Sequence, residues 1–364
     1  MAAFLFLADP ASVHTVRWAE GLRRRGHTVE IVPSHEGMAP GARTLTSWLR
    51  RRWHLRRAMR RSGAVLVIQY VPAGVRALAM LGLHPRIAVA WGSDIHATQA
   101  RRGTVRGTLA AIQQRALLRG CDAVVAPSQD LVRAAIAAGA EASRTRCVPF
   151  GVDLRAFRPG LPDPALRARL DVLGRRVVLS NRTIAPLYHQ MTVVEALDLL
   201  PSDVVVVMTR QRASQSEIAR VEARACELGL ADRLRLIDPV GESELPGLYR
   251  LADVVVSLAG SDGGPVTVLE AMASGKPIVA SDLPAVREWL GSVDPTALVP
   301  PDDAAAVASA IRRALALTPR EREELSSRER AVAEARADRE EALTVMETLH
   351  SALSAVRGGM SPWL

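Results

Sequence analysis

Two carboxylates, Asp262 and Glu270, stand eight positions apart on either side of the turn Gly263-Gly264-Pro265. Glycines let a backbone come close to a ligand, and amides at a helix start receive an anion such as a phosphate. The spacing Val266 to Ser274 predicts a short helix after the turn, and the apolar run Val254 to Leu258 predicts a buried strand before it. The stretch Ser261 to Asp282 therefore reads as strand end, anion-accepting turn and helix start with an acid at each side. A plainer reading is also open, in which Thr267 and Glu270 form a capping box and Glu270 only satisfies the helix start.

The rest of the chain supplies elements that position this stretch. Strands are expected at Phe4–Ala8, Val29–Val32, Val65–Val71, Ile87–Trp91, Ala123–Pro127 and Arg146–Phe150, with a helix from Val13 to Arg25 capped by Ser12 and ended by Gly26. Closely spaced prolines and a glycine at 158–164 predict an interdomain linker. Alternation then restarts, with strands expected at Val177–Ser180, Val204–Met208, Leu234–Ile237, Val254–Leu258, Pro277–Ala280 and Ala297–Val299. Strands that alternate with helices give parallel sheets covered on both faces. The expected fold class is α/β, with two Rossmann-like, doubly wound domains facing a cleft and C-terminal helices. The expected boundaries are 1–160, 161–340 and a final helix at 341–364 returning towards the first domain, where Ser361 to Leu364 would pack.

At 364 residues, with 48% hydrophobic and 23% charged residues, the composition is that of a globular protein with two cores. No apolar run approaches the ~20 residues of a membrane span, and the start MAAFLFLADP lacks a basic region before its apolar run. A cytoplasmic location is expected. Three separated cysteines, Cys121, Cys147 and Cys226, form neither a disulfide framework nor a metal pattern. The net charge of +9 comes from arginine, because Lys276 is the only lysine, and with few aromatics it does not indicate nucleic acid. Lys276, beyond the helix, is expected to be solvated. The segment Trp48 to Arg61 is denser in arginine than its surroundings and is read either as a solvated helix face or as a peripheral contact with an anionic membrane surface.

Asp262 to Ser281 resembles the signature of the retaining family 4 glycosyltransferases of the GT-B fold: two acids eight positions apart, then Ala-Met-Ala, a small residue, Gly and Pro-Ile-Val-Ala-Ser. Other segments resemble that family in the same order, among them ADPASVHTVRWAEGLRRRGHTVEIV, AWGSDIH, VPFGVDLRAFRP and VVLSNRTIAPLY. The resemblance implies that Glu270 bonds the ribose hydroxyls of a donor nucleotide and that Asp262 holds the transferred sugar. It places Gly263, Gly264, Pro265, Val266 and Thr267 on the sugar and diphosphate, Val240 and Gly241 on the base, and Arg182, beside Asn181, on the diphosphate. Leu187 and Tyr188 stand where the family has a second cation, a lysine. Tyr188, His189, Arg210 or Arg212 would substitute for it.

Trp91-Gly92-Ser93-Asp94 resembles the family's His-Gly-Ser-Asp loop, which implies acceptor-side roles for His14, Trp91 and His96 and a catalytic role for Asp94. Asp94 also reads as a cap for the segment after it. The implied activity is transfer of a sugar with retention from a nucleotide-diphosphate sugar, UDP before GDP, to the hydroxyl of a lipid, glycan or small metabolite. No metal or other cofactor is expected, since protein cations would bear the diphosphate charge. The alternatives are a GT-B epimerase or phosphorylase, or a nucleotide-sugar-binding protein that has lost turnover.

Overall fold

The computed structural model describes residues 1–34 and 45–357. The chain divides into two compact units, one of Met1–Phe150 with the helix Arg339–Arg357, the other of Gly151–Asp338. The division falls ahead of the proline-rich stretch at 158–164, which lies inside the second unit. There Val152 bridges to Asp338 and Arg330 donates to the carbonyls of Leu154 and Phe157. Residues 361–364, expected to pack back, lie outside the described residues.

The first unit holds six parallel strands: β1 Ala3–Ala8, β2 Thr28–Pro33, β3 Val65–Gln69, β4 Arg86–Val89, β5 Ala123–Ala126 and β6 Thr145–Cys147, in the order β2-β1-β3-β4-β5-β6. The second holds β7 Arg176–Ser180, β8 Val204–Thr209, β9 Leu234–Ile237, β10 Val254–Ser257, β11 Ile278–Ser281 and β12 Leu298–Val299, in the order β12-β11-β10-β7-β8-β9. Strands β3, β4, β5, β8, β10 and β11 are buried along their whole length, because helices cover both sheet faces, so they read as apolar runs with polar residues only at their ends.

Strand order fixes where a ligand can sit. In the second sheet the chain runs outward from β7 to β9, then returns to the other side of β7 with β10. The carboxyl ends of β7 and β10 therefore flank a topological switch point, where open α/β sheets bind ligands. In the first sheet the corresponding reversal lies between β1 and β3.

Each unit fastens its outer helices with side chains that replace missing space or missing partners. A Cβ on Gly21 would lie 2.5 Å from Leu343 Cδ1, so glycine lets the helix Val13–Arg24 approach the helix Arg339–Arg357. Arg25 adds ion pairs to Glu340 at 2.7 Å and Glu347 at 2.9 Å. Ser12 takes the N-cap position of the Val13–Arg24 helix, as the sequence predicts, without a side-chain cap bond. In the second unit, Arg330 on the helix Pro319–Arg336 donates to the Ala273 carbonyl at 2.7 Å, which anchors the last turn of the helix Val266–Ala273.

One buried acid opposes this stability. Glu329 is fully buried, and neither carboxyl oxygen has a hydrogen-bond partner among the described residues. Burial pushes its carboxyl well above the usual range, with Asp294 adding to the shift and Arg328 opposing it. A raised folded-state value means that the native state keeps its full stability below the unfolded value of about 4.3 and loses it as pH rises towards the folded value. Glu329→Gln is therefore expected to melt higher than the parent at pH 8, by about 1–3 kcal/mol of stability, and to converge with it near pH 4. Melting curves across that range measure this, and parallel pH profiles for the two proteins would refute it.

Candidate active site

The second unit brings Arg182 and Asp262 together at the switch point between β7 and β10. Arg182 follows β7 and Asp262 follows β10, and their side chains form an ion pair with Nη1 to Oδ2 at 3.0 Å. Only 13% and 10% of the two side chains is exposed, so water screens the pair little. The guanidinium also lies over the ring of Tyr188, with Cζ 4.3 Å from the centroid. Burial pulls the Arg182 proton affinity down, but the Asp262 carboxylate and Tyr188 outweigh it and the net shift is upward.

The backbone around Arg182 is held from behind. Gln190 donates to the Arg182 carbonyl at 3.1 Å and accepts from the Ser180 hydroxyl at 2.7 Å. Thr209 donates to Asn181 Oδ1 at 3.1 Å, which fixes the end of β7 against β8. Thr209 therefore steadies this loop, through Asn181, from the neighbouring strand.

Tyr188 closes a short turn, Pro186–Tyr188, and His189 follows in a left-handed conformation with φ 45°. That conformation is costly for a residue with a Cβ. It carries the chain straight into the helix Gln190–Asp198. A Cβ on Gly260 would lie 3.3 Å from His189 Nε2, and the Gly260 amide donates to the Leu187 carbonyl at 2.8 Å. The loop after β7 and the loop after β10 thus touch directly, with Tyr188 and His189 among the residues at that contact.

Arg210 is committed elsewhere. It pairs with Glu222 at 3.4 Å and Asp238 at 3.5 Å, so its charge is already matched by two carboxylates. Of the substitutes expected from the sequence, Tyr188 contacts Arg182.

Glu270 lies in the second turn of the helix Val266–Ala273, 3% exposed. Its Oε2 accepts from the Tyr249 hydroxyl at 2.7 Å. The capping-box reading does not hold, because Pro265 is the N-cap residue and no side chain caps that end. The Gly264 amide, in the turn Gly263-Gly264-Pro265, donates to Asp262 Oδ1 at 3.1 Å. The Val266 amide donates to the Gly264 carbonyl at 2.8 Å, and the Thr267 amide belongs to the first turn, whose N–H groups have no partner within the helix. Val240 and Gly241 follow β9, and the Gly241 amide donates to Glu244 Oε2 at 3.2 Å.

Lys276 departs from the expectation of a solvated residue. Its Nζ donates to the Arg250 carbonyl at 2.9 Å. Burial pushes its amine down to about 8, with Asp253 opposing and neighbouring arginines adding to the fall. It precedes β11, at the opposite end of the sheet from Arg182 and Asp262.

In the first unit His14 and Trp91 meet. The His14 ring stacks on Phe150 at 4.4 Å with 13° between planes and meets the Trp91 ring edge-on at 5.3 Å. Trp18 donates to the Phe150 carbonyl at 2.9 Å, which fixes this aromatic group to the helix Val13–Arg24. His96 is half-buried on the helix Ser93–Ala100 and is not among these ring contacts.

Asp94 is held by backbone groups of two loops. It is 4% exposed and accepts from four backbone amides: Val71 at 2.7 Å, Gly92 at 2.9 Å, Trp91 at 3.0 Å and Ile95 at 3.0 Å. Burial pushes its carboxyl up while these bonds pull it back, and the net shift is upward. Asp94 therefore shapes the loops after β3 and β4. It is not a helix cap, since Gly92 holds the N-cap position.

The basic segment forms the helix Leu45–Ser62, which buries Leu55 and Met59 and sends Arg52 to the Ala79 carbonyl at 3.0 Å. Trp53 is 57% exposed and stacks under Arg57, and the side chains of Trp48, Leu49 and Arg51 lie outside the described residues. No helix among the described residues is long and apolar enough to cross a membrane.

Two family descriptions match in tandem: "Glycosyltransferase Family 4" over residues 11–156 and "Glycosyl transferases group 1" over residues 165–336. The chain belongs to the family 4, group 1 type of GT-B glycosyltransferases. Among this family's curated members, a D-inositol 3-phosphate glycosyltransferase of Xylanimonas cellulosilytica is 32% identical over 187 residues, covering 48% of this chain and 44% of the relative. The protein of the same name from Geodermatophilus obscurus is 35% identical over 188 residues, covering 49% of this chain and 42% of the relative. The chain thus spans less than half the length of these curated relatives. The HepE protein of Anabaena, solved with UDP and glucose, superposes with a TM-score of 0.77 at 18% identity, covering 96% of this chain and all of that one. Sucrose-phosphate synthase of Thermosynechococcus elongatus superposes at 0.79 with 20% identity, covering 98% of this chain and all of that one. At such identities these structures establish the GT-B glycosyltransferase fold of this family member alone.

Sequence reasoning missed Tyr249, Gln190 and Phe150. Each is a buried partner to a site residue, and nothing in a helix pattern distinguishes a packing tyrosine or glutamine from one that orients a carboxylate or a carbonyl.

Proposed function

We propose that the chain transfers a sugar, with retention and without a metal, from a nucleoside diphosphate sugar to a hydroxyl acceptor. The observation that carries this reading is the Arg182–Asp262 pair at the switch point of the second sheet, beside the buried Glu270. A diphosphate arriving there would meet the guanidinium and the amides of the helix start, and the ribose would meet Glu270. UDP is preferred over GDP, because the Anabaena protein was solved with UDP and with UDP-glucose. The acceptor side falls to the first unit, with Trp91 and His14 near it. The curated relatives' name, D-inositol 3-phosphate glycosyltransferase, makes a phosphorylated polyol one acceptor to try.

In the reaction the bond from the sugar C1 to the diphosphate oxygen breaks as the bond from C1 to the acceptor oxygen forms on the same face. The acceptor hydroxyl proton passes to the departing phosphate oxygen. Arg182 bears the charge that builds on the diphosphate, and such preorganised charge stabilisation is usually the largest single catalytic contribution. Metal independence is part of the proposal.

A binding protein without turnover is the second reading, favoured by Leu187 and Tyr188 standing where the family has a lysine. Incubation with UDP-sugars, with and without polyol or glycan acceptors and with a chelator present, separates the two. Acceptor-stimulated release of UDP that survives the chelator is expected. Tight UDP-sugar binding with no release under any acceptor would favour the second reading.

A further inference from the structure

The helix Val105–Arg119 of the first unit turns an apolar stripe outward. Val105, Leu109 and Ile112 are 80%, 54% and 58% exposed. At about 3.6 residues per turn their side chains fall in one narrow strip of the helix surface, and Ala116, also exposed, continues it. The opposite side of the helix, with Gly107, Ala111, Gln114, Leu117 and Leu118, is buried. The helix is thus apolar on two sides, and only the inner one is covered.

Single exposed apolar residues are ordinary, but a contiguous row of them marks a contact surface. Leu78, on the helix Val75–Met80 that packs beside this one, is exposed as well.

Charge indicates what covers the stripe. Residues 37–121 carry fifteen arginines and one acid, Asp94, which is buried with its oxygens on backbone amides. Arg106 and Arg115 flank the stripe on its two sides, Arg119 stands at its far end, and Arg101 lies in the turn before the helix. All four are exposed, and none is in an ion pair among the described residues. The adjoining helix Gln129–Ala138 adds one acid, Asp130, which Arg133 matches at 3.3 Å. Such a face repels a second copy of itself, because equal charges would meet. Nucleic acid would find no aromatic ring in the stripe on which to stack a base. Protein partners are anchored mostly by tryptophan, tyrosine or arginine set in shaped pockets, whereas this stripe is a row of aliphatic side chains on the outside of a helix. A bilayer with anionic headgroups matches both parts: aliphatic tips enter the acyl boundary, and arginines stay at headgroup level with their stems along the apolar surface.

We propose that the helix Val105–Arg119 docks the first unit on an anionic lipid surface, with Val105, Leu109 and Ile112 inserted and Arg101, Arg106, Arg115 and Arg119 on the headgroup phosphates. This surface is separate in sequence from the segment Trp48 to Arg61, and the docking stands whether or not the chain transfers a sugar.

The test floats the full chain with vesicles of phosphatidylcholine alone and of an equal mixture of phosphatidylcholine and phosphatidylglycerol. The chain is expected to bind the mixed vesicles and to bind the neutral ones about tenfold more weakly or not at all. Leu109→Ser with Ile112→Ser is expected to lose about tenfold in affinity for the mixed vesicles, a loss at unchanged net charge that a purely electrostatic contact would not show. Arg106→Ala with Arg115→Ala is expected to lose about tenfold too, and Arg56→Ala with Arg60→Ala, which removes equal charge from the helix Leu45–Ser62, about twofold at most. Melting curves like the parent's show that the variants fold. No binding to mixed vesicles, equal binding to both kinds, full affinity in the serine variant or equal losses in the two arginine pairs would each overturn the proposal. Binding to an oligonucleotide without binding to vesicles would give the face to nucleic acid, and a dimer that the serine variant dissolves, again without vesicle binding, would give it to a second copy.

Discussion

Arg182→Ala is expected to lower turnover by about two to three orders of magnitude, with a smaller change in the donor KM. The geometry makes Arg182 the cation of this switch point: the family's lysine position holds Leu187 and Tyr188, and Arg210 is matched by Glu222 and Asp238. Tyr188 is neither arginine nor lysine, yet its ring centroid lies 4.3 Å from the guanidinium carbon. Such a contact is worth about 0.5–2 kcal/mol, the upper value when desolvated. Arg182→Lys should rescue poorly, since a lysine cannot present a planar fork to two phosphate oxygens. Single-turnover measurements with UDP-sugar test both variants. Turnover within threefold of the parent in Arg182→Ala would mean that another group bears the diphosphate.

Glu270→Ala should weaken UDP binding by about ten- to a hundredfold, the equivalent of about 1.5–3 kcal/mol for hydrogen bonds to a charged group. Glu270 is held for this role by burial and by the Tyr249 hydroxyl at 2.7 Å, so its orientation is set before any nucleotide arrives. Tyr249→Phe is the control, because it removes that bond and keeps the carboxylate. A loss of only a few fold is expected there. Calorimetric titration of UDP reads both, and an unchanged affinity in Glu270→Ala would remove the ribose assignment.

The alternation of strands was legible because a buried parallel strand needs apolar residues on both faces. Val204–Met208 and Leu234–Ile237, for example, are found within a residue of their expected bounds. The glycine turn and its flanking acids were legible for a related reason, since backbone that approaches a ligand excludes side chains. Partners across the fold were not. Asp94 sits in a loop that resembles a sugar-binding one, and only coordinates show that amides from two loops consume its carboxylate. Lys276 looked solvated as an isolated charge after a helix, but it lies against Arg250, which is distant in sequence. The meeting of Arg182 with Asp262 depends on β10 pairing with β7 rather than with its sequence neighbour β9, a choice of sheet order that local pattern does not encode.

The ion pair between Arg182 and Asp262 carries a further consequence. The unliganded site is already electrostatically satisfied, so an incoming anion must exchange with a carboxylate rather than fill an empty field. A free phosphate ion gains one guanidinium and must displace one acid, close to an even trade. On the proposed function, a nucleotide would bring a ribose for Glu270 in the same event and tip the balance. The pair would thus set a threshold of recognition that sorts whole donors from the abundant small anions that share only their charge.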